Sequence, residues 1–339
     1  MIKNHFGSAH LVRVCMLWMM ATLALAQSRA PMVLTGTVPL PGVHGRIDHL
    51  ALDSEGRLFV SARGNNSVEI IDLAKGTAVK SIPGIPSPQG IVYSPETNKL
   101  FVASSGGGLY IYECKKFKLL GIVDFHGDVD NLRYDPASEF VYVGFGDGET
   151  AAVGAIDAAS GERKQDFKVG AHPESFQLAR KGANIYVNLP ELRQVAVVDR
   201  KTWTVTRWPL PADGNFPMAL DEADHRLFVH TRAPGKLLVL DTASGKTIAS
   251  LSGVEDCDDL FYDAARKRIY ASGGQGQVAV FQQNDADHYQ LVARVPTAPG
   301  ARTSGYFGET GEQTAARLFV AVPASADHPA EIRTYRLQD

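Results

Sequence analysis

The chain is poor in cysteine, with three among 339 residues. Cys15 lies near the amino terminus, and Cys114 and Cys257 sit at unrelated positions. That excludes a disulfide-stapled scaffold, a paired-cysteine zinc site and a CxxCH haem attachment. HExxH and GxSxG are also missing, so neither a zincin helix nor a nucleophile elbow is present. Gly106, Gly107 and Gly108, like Gly273 and Gly274, lie between apolar alternating runs with no helix after them, so they are turns rather than phosphate-binding loops. After residue 26, no window of eleven or more residues sustains a 3.6-residue apolar period strongly enough for a helix. Basic clusters are short: KKFK at 115–118 and RKR at 266–268 stand alone in a chain of net charge −3. Phosphate-backbone binding needs a concentrated cationic field, so a nucleic-acid partner is excluded.

Long apolar runs are absent except at the amino terminus. Lys3 and Arg13 precede an apolar stretch, residues 14–25, and Ala24 and Ala26 at its end are the small residues that a signal peptidase requires. This is the pattern of a cleaved signal peptide over residues 1–26, and the stretch is short for a membrane span. The reading predicts export to the periplasm or beyond, no transmembrane segment in the mature chain, and one domain over residues 27–339. Loss of Lys3 and Arg13 takes the formal charge from −3 to −5.

What is abundant is repetition. The stretch IDHLALDSEGRLFVSARGNNSVEIIDL, residues 47–73, has six successors, the last one stretched. Their second-strand aromatics fall at Phe59, Phe101, Tyr142, Tyr186, Phe228, Tyr270 and Phe319, each 41 to 49 residues after the last. A period in this range marks a repeat architecture. Each unit reads as four short strands between Gly, Asn and Asp turns. The seventh unit lacks its fourth strand, while a lone strand, VLTGTV within residues 32–39, precedes the first. These two facts fit together if the early strand completes the last sheet and covers its unpaired edge. The predicted fold is all-β: a seven-bladed β-propeller with four-stranded antiparallel blades, its ring closed by the amino-terminal strand. A linear solenoid would need a polar cap at each end and would leave residues 32–39 without a role.

In such a ring the starts of the innermost strands converge on the channel. Aligning the repeats puts Asp48, Gln89, Asp130, Glu174, Phe216, Asp258 and Thr303 at one level, with His49, Gly90, Asn131, Ser175, Pro217, Asp259 and Ser304 one residue further in. His44, Arg46, Asp128, His172, Asp256 and Arg302 lie just outside, and Arg63 and Arg232 lie on the neighbouring loops. Polar residues at such turns often only satisfy local backbone groups. The tandem EDCDD at 255–259 is harder to dismiss, because four adjacent carboxylates repel unless a cation or an arginine answers them. The candidate ligand-binding residues are therefore Arg46, Asp48, His49, Asp130, Asn131, His172, Glu174, Asp258, Asp259 and Arg302. A divalent metal has two routes to this mouth: Ca²⁺ through oxygens, or Zn²⁺ or Cu²⁺ through His44, His49, His172 and Glu174.

The segments LFVSARGNNSVEIIDL, NIYVNLPELRQVAVVD and RLFVHTRAPGKLLVLD resemble the repeats of YVTN-type seven-bladed propellers of bacteria and archaea. The resemblance covers nearly the whole chain after the leader. It departs in detail: the Asn that follows the motif is matched by Asn188, while other blades carry Ser104, Phe145 or Thr231. It implies an exported propeller frame and chooses no reaction.

Function is expected at the channel mouth. The leading reading is a binding or scaffolding protein, monomeric, that holds a small ligand, a cation or a protein partner there. The alternative is a metal- or histidine-assisted hydrolase or lyase acting on a small polar metabolite, with His49, His172 and Glu174 as its chemical groups.

Overall fold

The structure, a computed structural model, describes Met1 and residues 30–308 and 315–339. The expected leader, apart from Met1, and residues 309–314 of the stretched seventh repeat lie outside the described residues. The strands assemble into seven four-stranded antiparallel sheets. Blade one runs outward through Leu50–Leu52, Arg57–Ala62, Ser67–Asp72 and Thr77–Pro83. Blades two to six repeat that order, beginning with Pro88–Ser94, Val129–Asp135, Phe176–Leu178, Asn215–Asp221 and Cys257–Asp263. Blade seven takes Ser304–Phe307, Arg317–Val322 and Ala330–Leu337 from the carboxyl end and Met32–Leu40 from the amino end.

That last pairing closes the ring as the lone early strand requires. Met32 faces Leu337 and Leu40 faces Ala330, with one irregularity between Leu34 and Gly36. Unpaired edge donors on Ala330–Leu337 are thereby satisfied. Apolar packing reinforces the ladder. Val38, Leu40 and Ile332 of blade seven share a core with Leu50, Leu58 and Val60 of blade one.

The same arrangement recurs at every blade boundary, because a sheet buried on both faces must find an apolar neighbour on each side. Second and third strands are almost wholly buried, whereas the outermost strands are largely exposed. The seven periodic aromatics fill the wedges between blades, and none exceeds 5% exposure. Burial of such a ring contributes roughly 1.5–3 kcal/mol each. Glycine is required where the turn is tight: Gly245 has φ +72°, and a Cβ there would lie 2.3 Å from the Trp208 ring. Cys114 and Cys257 are buried and unpaired with each other. No helix among the described residues is long and apolar enough to cross a membrane.

Candidate functional site

The blade starts meet at one end of the channel around a cavity of about 410 Å³. Six of the seven residues aligned at the first level line it: Asp48, Gln89, Asp130, Glu174, Phe216 and Asp258. The seventh, Thr303, is buried and donates to the Ile47 carbonyl at 3.1 Å. The next level, from His49 through Ser304, lines a second cavity of about 470 Å³ deeper in the channel. His49, Asn131 and Ser175 face both spaces.

Seven carboxylates line the mouth, against three guanidiniums and two imidazoles. Most of those acids are answered. Asp258 receives Arg46 at 2.9 Å and a close contact from Arg232, whose guanidinium stacks 3.4 Å over the Phe216 ring. Asp48 lies 3.3 Å from Arg46 and 3.6 Å from Arg63, yet burial still raises its carboxyl above the usual range. The acidic tandem is divided among partners. Arg302 takes Asp256 at 2.8 Å, Gln275 takes Glu255 at 2.9 Å, and Asp259 accepts the Ser304 N–H at 2.8 Å and faces His49 Nδ1 at 3.3 Å. Burial works against charge on His49, but Asp259, with Asp48 and Asp130 behind it, overrides this and raises the ring to about 9.

One group stands apart. Asp130, His172 and Glu174 offer an oxygen, a nitrogen and an oxygen that all lie within 4.8 Å of one another. His172 Nδ1 lies 3.0 Å from the Gly146 carbonyl and 3.3 Å from Asp147 Oδ1, while Nε2 faces Asp130 at 3.9 Å. A carbonyl acceptor at Nδ1 selects the tautomer that leaves Nε2 as a lone-pair donor, the orientation that metal-ligating histidines need. Glu174 has no hydrogen bond or ion pair at its carboxylate among the described residues; only its backbone N–H is bonded, to Asn188. Burial, then the Asp130 charge, raises it to about 7. Burial opposes ionisation of Asp130 too, but His172 and His49 outweigh it and keep this carboxyl below its usual value. Burial also opposes charge on His172, yet Asp130 and Glu174 raise it to about 9.

Three features build this cluster. Gly90 lets blades two and three approach, since a Cβ there would lie 2.1 Å from the Asp130 carbonyl oxygen. The widened turn of blade three, with Asp147 capping the short 3-10 turn Gly148–Thr150, brings Asp147 to the mouth. His172 and Glu174 flank Pro173 on the segment entering blade four.

No family model matches the chain. It is 25% identical over 187 residues to the uncharacterized protein YncE of Salmonella typhi, and equally to the uncharacterized protein YncE of Salmonella typhimurium. The match covers 53% of this chain and 52% of those proteins. The architecture is YncE-like. The aligned region spans about half the length of these curated relatives, so their sequences support the frame and not an activity. A chain from the crystal structure of the mitotic checkpoint complex superposes with a TM-score of 0.76, covering 98% of this chain and 99% of that one at 11% identity. A likeness at that identity shows the fold alone.

Within this YncE-like propeller, Arg46, Asp48, His49, Asp130, Asn131, His172, Glu174 and Asp258 line the mouth. Asp259 faces the deeper channel. Arg302 lines neither space and is held by Asp256. His44 also lies outside both; its backbone N–H donates to Asn65 Oδ1 at 2.8 Å. Neither His44 nor His49 belongs to the close three-residue group, whose third member is Asp130. Sequence reasoning passed over Glu191, on a second-to-third-strand turn, and Arg133. The latter was detectable: two positions past the deeper level the blades carry Ala51, Val92, Arg133, Gln177, Ala219, Phe261 and Tyr306, with a single ionic residue among them.

Proposed function

We propose that this protein is exported and binds a divalent cation, and through it a small polar ligand, at the mouth of the channel. The observation that carries the reading is the approach of Asp130, His172 and Glu174 within 4.8 Å, with the Glu174 carboxylate in no hydrogen bond or ion pair among the described residues. A half-buried carboxylate without a donor is costly unless a cation or a proton answers it. An imidazole beside two carboxylates suits Zn²⁺ or Cu²⁺ better than Ca²⁺, which takes oxygen ligands. Three protein ligands leave coordination positions open for an exogenous molecule, and the surrounding arginines would orient its anionic or hydroxyl groups.

Chelator-treated full-length mature protein, titrated with Zn²⁺ by calorimetry, tests this. One equivalent should bind, and Glu174→Gln and His172→Asn should each weaken it at least tenfold, while His44→Gln leaves it unchanged. Equal Zn²⁺ affinity in wild type and Glu174→Gln would overturn the reading. The exported form should begin at Gln27 by mass spectrometry.

A hydrolase or lyase reading draws on one further observation. The Glu174 carboxyl, raised to about 7, is poised to exchange protons near neutral pH. It requires turnover of small esters or lactones that collapses in Glu174→Gln with the fold intact.

A further inference from the structure

The deeper half of the channel holds a guanidinium that no carboxylate among the described residues touches. Arg133 lies on the innermost strand of blade three, Val129–Asp135. Its Nη1 donates to the Leu132 carbonyl at 2.7 Å and weakly to Asn131 Oδ1 at 3.4 Å, and its Nη2 donates to Ser175 Oγ at 3.1 Å. The guanidinium lies 5.5 Å from the Phe176 ring centre. No carboxylate among the described residues comes within salt-bridge distance of it. The Nε–H and one Nη2–H are left without an acceptor among the described residues, and these are the kind of donors that a carboxylate engages in pairs. Asp259, which lines the same space, is already engaged by His49 and the Ser304 N–H.

A partly buried guanidinium with no carboxylate in contact leaves donors free for an anion; burial pushes its pKa down, against the pull of the more distant Asp259 and Asp130. The space it faces measures about 470 Å³, within the range of small-molecule pockets. Apolar and aromatic side chains, Val92, Ala219, Phe261 and Tyr306 among them, share its wall with polar groups. Arg180, exposed and lining the same space, adds a second positive charge.

We infer that the deeper channel is a binding site for a small organic carboxylate with an apolar body, the carboxylate gripped by Arg133 and the body packed against Phe261 and Tyr306. Arg133 does not line the mouth, so the site stands independently of any metal there. Arginine selects the carboxylate because its fork matches two oxygens, and the aromatic wall selects against a purely inorganic anion.

The test uses 4-bromobenzoate on the full-length mature protein. Calorimetry should show saturable binding at one site, at least tenfold weaker in Arg133→Gln, intermediate in Arg133→Lys and unchanged in the exposed-charge control Lys115→Gln. Neutral 4-bromobenzamide should bind at least tenfold more weakly than the acid. In soaked crystals the bromine anomalous peak should lie in the deeper channel beside Phe261 and Tyr306. Undiminished binding in a folded Arg133→Gln variant, equal binding of the amide, a peak elsewhere, or no saturable binding at millimolar ligand would each overturn the inference. If Arg133→Gln fails to fold, the acid–amide comparison and the peak position in wild type still decide.

Discussion

Arg46 of blade one reaches Asp258 of blade six at 2.9 Å, across 212 residues of sequence and past the intervening blade seven. The same guanidinium lies 3.3 Å from Asp48, so one side chain ties two buried carboxylates on opposite sides of the ring's closure. Replacing it by methionine keeps most of its length and removes the charge. Arg46→Met should cost about 1–3 kcal/mol, measured by urea denaturation. A much smaller loss would mean that Arg232 and Arg63 suffice for these acids.

The closing strand offers a sharper test of architecture. A chain beginning at residue 41 lacks the ladder from Met32 to Leu40 and the Val38 and Leu40 contribution to the core between blades seven and one. It should lose its cooperative melt or melt more than 10 °C lower. A synthetic peptide of residues 32–40 should restore part of that loss. An undiminished melting temperature in the shortened chain would show that closure does not depend on this strand.

Gly90 should control the cluster through the backbone alone. A methyl group there would meet the Asp130 carbonyl at 2.1 Å and the Leu132 nitrogen at 3.0 Å, forcing blade three's start to move. Gly90→Ala is expected to weaken Zn²⁺ binding at least tenfold, although the residue carries no ligand atom. Gly121→Ala, with nothing within 4 Å of the added carbon, should leave it unchanged. Calorimetry on both variants separates positional control from a general glycine effect.

Two buried histidines should give opposite pH dependences. His49 is raised from 6.5 to about 9, so its pairing stabilises fully below 6.5 and is lost as pH rises through 9. Burial lowers His230 to about 4, and its Nε2 has no partner among the described residues. Its contribution is complete above 6.5 and is lost as pH falls toward 4, because the unfolded chain then binds the proton first. The stability difference between wild type and His49→Gln, on the order of 3 kcal/mol at most, should shrink between pH 6.5 and 9. Parallel curves over that interval would contradict the His49–Asp259 pairing.

The repeats carried more of this molecule than their low mutual identity suggests. Because each blade starts at the same phase, counting back from a periodic aromatic placed Asp48, Asp130, Glu174 and Asp258 at one opening, and the cavity walls agree. The count failed to reach Arg133 only because it stopped two residues short. Partner choice was not countable in the same way. Asp258 and Glu174 occupy equivalent positions, yet two guanidiniums contact the first and, among the described residues, none contacts the second.

Sequence alone thus determined the all-β repeat, its seven-fold number, the strand that shuts the ring and the level at which polar groups gather, since these follow from period, alternation and one missing strand. Tertiary structure decided which acids a guanidinium contacts and which it does not, because a side chain's partner across a ring depends on reach and direction that no spacing along the chain encodes. His172 shows the difference: its position at a blade start was readable, but the Gly146 carbonyl that turns its Nε2 toward Asp130 comes from a turn 26 residues earlier. Only the packed ring brings the two together.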